Sequence, residues 1–118
     1  MKIQTITEVR KSGELFGRLT ALRNPTRAKN AQRYFKTGKG EYGEGDKFLG
    51  INNPVCRKIA KEFRGLVIDE IEKLLNNSYH EVRLVGLLIL VHKFEKGSDG
   101  EKENIYHFYL DHTRKINN

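Results

Sequence analysis

Four positions in this 118-residue chain signal the start of a helix, and they leave little room for other secondary structure. Asn24 before Pro25 puts an amide side chain at an N-cap and a proline at the first helical position, where its missing N–H costs nothing. Asn53-Pro54 repeats the device. Ser78-Tyr79-His80-Glu81 and Ser98-Asp99-Gly100-Glu101 each fit a reciprocal capping box. The segments around these signals carry apolar residues at helical spacing: Leu15, Phe16, Leu19 and Leu22, then Val55, Cys56, Ile59, Ala60 and Phe63. Ile68, Ile71, Leu74 and Leu75 continue the pattern, as do Ile105, Phe108, Tyr109, His112 and Ile116. The run Leu84 to Val91 alone could be a buried strand, but the capping box before it and the flanks Arg83, Lys93 and Glu95 favour a helix buried on nearly all sides. Gly86 would then admit a neighbouring helix closely. The expected fold is all-α in a single domain over 1–118. Its helices lie at about 3–23 (bent at Gly13), 25–36, 54–64, 67–76, 80–96 and 100–115, paired in order as three antiparallel hairpins. Thr37 to Asn53 is the one long irregular stretch, and Phe48-Leu49 should tuck back into the core.

Charge is unevenly distributed. Residues 1–39 hold ten Lys/Arg and two Glu, while residues 40–118 hold twelve basic and thirteen acidic side chains. Such asymmetry points to a localised anion-binding face rather than a uniformly solvated surface. Lys29, Arg33 and Lys36 fall at i, i+4 and i+7 on one helix face, and Arg57, Lys61 and Arg64 repeat the spacing on another. Ordinary solvated faces mix both signs, yet only Glu62 does so here. Two one-sided cationic stripes suit a phosphate backbone.

Other function classes find little support. No apolar run approaches the length of a membrane span, and MKIQTITEVRK has neither an apolar h-region nor a small-residue cleavage site. A single cysteine, Cys56, excludes a disulfide framework, fits a cytoplasmic setting, and sits where a buried inert thiol is expected. Gly38-Lys39-Gly40-Glu41-Tyr42-Gly43 matches a dinucleotide-binding string only formally, since it follows a helix and sets Glu41 where a pyrophosphate would lie. His80, His92, His107 and His112 have no zinc spacing, and His92 reads as a packed histidine. No metal, no cofactor and no catalytic constellation is expected.

Two resemblances refine this. Leu74-Leu75-Asn76-Asn77-Ser78-Tyr79-His80-Glu81-Val82-Arg83 resembles the inter-helix turn of HEAT repeats. Arg33-Tyr34-Phe35-Lys36-Thr37-Gly38, the glycine-acid run Gly40 to Asp46, Phe48-Leu49-Gly50-Ile51 and Pro54 with Arg57 form a more specific series. With His80-Glu81-Val82-Arg83, Tyr109-Leu110 and Ile116-Asn117-Asn118, the series resembles the DNA alkylation repair family, the AlkD-like DNA glycosylases.

The resemblance implies a HEAT-like solenoid of helical hairpins whose concave face holds duplex DNA. It also implies metal-free excision of cationic N3- and N7-alkylated purines by hydrolysis of the N-glycosidic bond. Tyr34 matches a position of the family's lesion cleft. The family's Trp-Asp-x-x-Asp motif, which follows the Ile-Asn-Asn stretch, has no counterpart here, and the chain contains no tryptophan. The expectation is therefore the DNA-gripping front of the family fold, inactive alone, with Lys29, Arg33, Tyr34, Lys36, Arg57, Lys61 and Arg64 against duplex DNA. The alternative is a non-catalytic HEAT-like module that binds DNA or protein. On the first reading, the last helix should leave an apolar face through which copies self-associate.

Overall fold

A computed structural model of the chain describes residues 10–35 and 45–116, with side chains described as far as Thr113. It is all-α: α1 (Ser12–Ala21), α2 (Pro25–Tyr34), α3 (Asn53–Glu62), α4 (Ile68–Leu75), α5 (His80–Lys96) and α6 (Asp99–Ile116). Among the described residues the only extended pairing is an isolated bridge between Lys47 and Tyr79. Of the helix expected over 3–23, the described part runs Ser12–Ala21 after an extended Lys11, with Gly13 in its first turn. Residues 1–9, Lys36 and most of the glycine-acid run fall outside the described residues.

The start signals act in three different ways. Asn24 caps α2 as expected, its Oδ1 accepting the Arg27 N–H at 3.0 Å. At α3 the cap is Asn52 rather than Asn53, with Oδ1 accepting from the Val55 N–H at 3.0 Å. Tandem asparagines make either residue competent, and proline is tolerated at the second helical position because that N–H has no intrahelical partner. Ser98 and Glu101 form the reciprocal box, with the Glu101 N–H donating to Ser98 Oγ at 3.2 Å and the Ser98 N–H to Glu101 Oε1 at 2.7 Å.

The Ser78–Glu81 box does not form. Helix α5 begins after Tyr79, which makes no side-chain cap. Glu81 instead accepts the backbone N–H groups of Leu49, Gly50 and Ile51 at 2.8, 2.9 and 3.2 Å. Three buried amides on an irregular segment have no ladder to satisfy them, and a carboxylate serves all three.

Helix α5 is the centre of the core. Val82, Val85, Ile89 and Leu90 are buried with Ile71, Leu74 and Leu75 of α4, Cys56, Ile59 and Ala60 of α3, and Leu15 and Leu19 of α1. Gly86 is the contact point with α4, where a Cβ would lie 2.9 Å from the Leu74 Cβ. Phe48 and Leu49 are buried as expected. Pairing is less sequential than three hairpins in order: α4 packs on α5 and on α1, α6 packs on α5, and α3 leans on α5 rather than chiefly on α4. An apolar stripe identifies a buried face but not the face it meets, and α5 has enough apolar circumference for three neighbours. One side of α5 nevertheless stays open, since Leu87, Val91 and Phe94 are exposed.

Candidate nucleic-acid interface

Helix α2 has no buried residue along its length. It is attached at its two ends. At the first, the Asn24 N–H donates to the Leu49 carbonyl at 2.8 Å. Gly50, at φ +84°, sits so close that a Cβ would lie 2.2 Å from the Asn24 oxygen and 2.7 Å from the Ala28 nitrogen. Only glycine fits that backbone and that approach. At the second end, Phe35 stacks on Phe48 and His80 at centroid distances of 5.2 and 5.8 Å, and Phe48 stacks on His80 at 4.9 Å. The Tyr34 ring stands edge-on to Phe35 at 4.9 Å and is 79% exposed, so it caps this aromatic pile on the solvent side. Asp46 braces the pile from below, 2.6 Å from Arg83 and 3.8 Å from His80 Nδ1.

Of the stripe expected on α2, Lys29 and Arg33 are exposed; Lys36 lies outside the described residues. On α3, Arg57 and Lys61 are exposed and line a cleft against α5 with Leu88, Val91, His92 and Glu95. Arg64 follows in the turn after α3, its guanidinium donating to the Lys61 carbonyl at 2.9 Å. It lines the adjoining cleft with Lys93 and Lys96 of α5, and His92 borders both clefts. His92 is therefore a half-buried wall residue rather than a packed core histidine. The two stripes do not lie on helices packed side by side. The starts of α2 and α3 meet where Asn24 and Arg27 share a small cleft with Asn52 and Val55, and Lys29 and Arg33 line none of these clefts.

Glu62, the acid that interrupted the α3 stripe, is turned toward α1. It is bonded to Arg18 and lies 3.7 Å from Arg10, whose guanidinium covers the Phe63 ring at 4.0 Å. The Arg18 hydrogen bond holds the Glu62 carboxyl below the usual range. Among the described residues, Lys29, Arg33, Arg57, Lys61 and Arg64 form no salt bridge. The stripe faces outward with its acid removed.

Sequence spacing missed Lys93 and Lys96. Two lysines in a last helical turn ordinarily complement the helix dipole, so nothing in the linear pattern tied them to Arg64. Cys56 is fully buried, and burial pushes its thiol up to about 11, which leaves no nucleophile there at neutral pH. Among the described residues no group of three His, Cys, Asp or Glu side chains could hold a metal, and no helix is long and apolar enough to cross a membrane.

A family model described as DNA alkylation repair enzyme matches residues 17–118. Neither the curated proteins nor the solved structures searched gave a match. With the match running from α1 through α6 and taking in both cationic helices, the chain belongs to the DNA alkylation repair family.

Proposed function

We propose that this chain binds duplex DNA carrying alkylated bases. Lys29, Arg33, Lys36, Arg57, Lys61 and Arg64 would hold backbone phosphates, and Tyr34 would meet the damaged base pair. The observation that carries the proposal is the diversion of Glu62 to Arg18, which leaves the cations of α3 without a described anionic partner. A strand of phosphates can neutralise such a row and release its own counterions. The packing of α4 and α5 over a core shared with α1, α3 and α6 supports stacked HEAT-like hairpins as the framework.

Within the family, the resemblance points to excision of N3- and N7-alkylated purines by N-glycosidic hydrolysis. A cationic alkylated purine already leaves readily, so the remaining need is to stabilise positive charge growing on the deoxyribose. Carboxylates and electron-rich aromatic faces do this. Of the acids near the cationic face, Glu62 is engaged by Arg18, Asp46 by Arg83 and Glu81 by three backbone amides, and Glu95 shares the cleft of Arg57 and Lys61. The chain also has no tryptophan. We therefore assign the grip to these 118 residues and not the bond cleavage.

Fluorescence anisotropy with a short duplex tests the grip. If about six phosphates are met, log K falls against log salt with a slope near −5. Arg57→Glu/Lys61→Glu weakens binding at least about tenfold and flattens the slope. A parent slope near zero overturns the proposal, and methylpurine release from alkylated DNA by the purified chain overturns the assignment of grip without cleavage. The exposed Leu87, Val91, Phe94, Tyr106 and Tyr109 meet Leu90 and Ile105 in an apolar cleft between α5 and α6. We assign that face to contact between copies, which sedimentation of the free chain reports; a strict monomer at high concentration removes it.

A further inference from the structure

We infer that the cleft at the C-terminal end of α5 is an additional seat for the DNA backbone, with Lys93 and Lys96 as its phosphate-binding side chains. The inference rests on the duplex-binding proposal and extends it to residues that neither the charge spacing nor the family match singles out. The cleft measures about 570 Å³ and gathers Arg64 from the end of α3, Lys93 and Lys96 from α5, and Asn104 from α6. Lys93 and Lys96 stand three residues apart on one helix face, so their stems are neighbours.

Cations in a last helical turn are the usual complement to exposed carbonyls. Two features go beyond that. Arg64 reaches the same cleft from the turn after α3, held on its wall by its bond to the Lys61 carbonyl. His92 borders both this cleft and the one lined by Arg57 and Lys61, so the two basic surfaces are continuous. A strand seated on Arg57 and Lys61 therefore runs on past His92 to Arg64, Lys93 and Lys96.

The acid in this cleft, Glu101, does not close it. Its Oε1 accepts the Ser98 N–H at 2.7 Å, holding it on the α6 cap, and neither Lys93 nor Lys96 forms a salt bridge among the described residues. On the far side, Glu95 lines only the Arg57 and Lys61 cleft. After the Ser98 hydrogen bonds, Lys93 lies near enough to help lower the Glu101 carboxyl. Arg64, Lys93 and Lys96 against that one acid still leave a net positive seat, which suits the spaced anionic oxygens of a phosphodiester backbone.

The experiment compares the parent chain, Lys93→Ala/Lys96→Ala and Lys93→Arg/Lys96→Arg, each titrated with the same short duplex across a salt series. Circular dichroism melting checks that each variant is folded. The alanine pair is expected to weaken binding about tenfold at low salt and to reduce the salt slope by nearly 2, about 0.9 per lost phosphate contact. The arginine pair keeps both affinity and slope. If the alanine pair folds and binds like the parent with an unchanged slope, duplex binding stands and this seat is wrong. If the parent binds no duplex, both proposals fall. A parallel titration with inorganic phosphate, followed by amide shifts, separates a small-anion site: saturation of the cleft by phosphate while the alanine pair keeps parental duplex affinity also overturns the assignment.

Discussion

Helices α5 and α2 are attached to the molecule by different physics. Helix α5 is held by area, with Val82, Val85, Ile89 and Leu90 excluded from water by three neighbouring helices. Helix α2 buries nothing of its own and is held by directional contacts at its ends: the Asn24 to Leu49 hydrogen bond, the Gly50 approach, and the Phe35–Phe48–His80 pile. Apolar burial is strong but indifferent to orientation. Hydrogen bonds and ring stacking are weaker but fix a pose, and they hold α2 without burying any residue of the helix. Glu81 joins the two regimes. It stands on the first turn of α5 and grips residues 49–51, so the central helix of the core in effect carries the least buried one.

The largest test of this contrast is Ile89→Ala on α5. Removing a fully buried side chain there should lower global stability by about 2–5 kcal/mol, read from urea unfolding followed by helicity. Selective loss of α2 amide protection, with α4 and α5 unchanged, would reverse the contrast. Next is Glu81→Gln. The neutral amide offers one acceptor oxygen in place of a carboxylate, so at least one of the three buried amides loses its partner, at about 1–3 kcal/mol. Hydrogen exchange should accelerate in α2 and residues 45–51 while α4 and α5 stay protected. An even loss across all helices would mean that α2 is not carried through this residue.

The smallest effect concerns the seam between α1 and α4. The Lys73 ammonium, and then the Ser12 N–H, hold the Glu70 carboxyl at about 2, below its ordinary 4.5. The folded value is the depressed one. Glu70 therefore stabilises the fold fully above about pH 4.5, and this contribution is lost as pH falls toward about 2. Glu70→Gln should flatten the fall in Tm over that window, measured by thermal melts in an acid series. An identical acid profile in the variant would show that the seam relies on apolar contact, as α5 does.

How much was legible beforehand differs between elements for physical reasons. Asn24 and the Ser98–Glu101 box could be read directly because capping is local, complete within four residues. Ser78–Glu81 has the same local pattern and fails, because three amides thirty or more residues away in sequence compete for the carboxylate. The α3 cap moved by one residue because Asn52 and Asn53 are chemically equivalent candidates. Cys56 and Phe48-Leu49 were correctly assigned to the interior, Cys56 from helical phase and Phe48-Leu49 from hydrophobicity, whereas Leu22 and Tyr109 of the apolar stripes are exposed. Lys93 and Lys96 escaped notice, because only tertiary packing brings the end of α5 against Arg64.

The sequence by itself determined that the chain is helical, where each helix after α1 begins to within a residue, which faces are apolar, and that α2 and α3 carry cations in rows. All of these depend on neighbours within a turn or two. Only the tertiary structure decided that Glu62 turns away to Arg18, that Glu81 leaves its own helix start to hold residues 49–51, and that α3 rests on α5. Those outcomes are competitions between partners far apart in the chain. Local pattern names the groups that compete, and packing selects the pair that is satisfied.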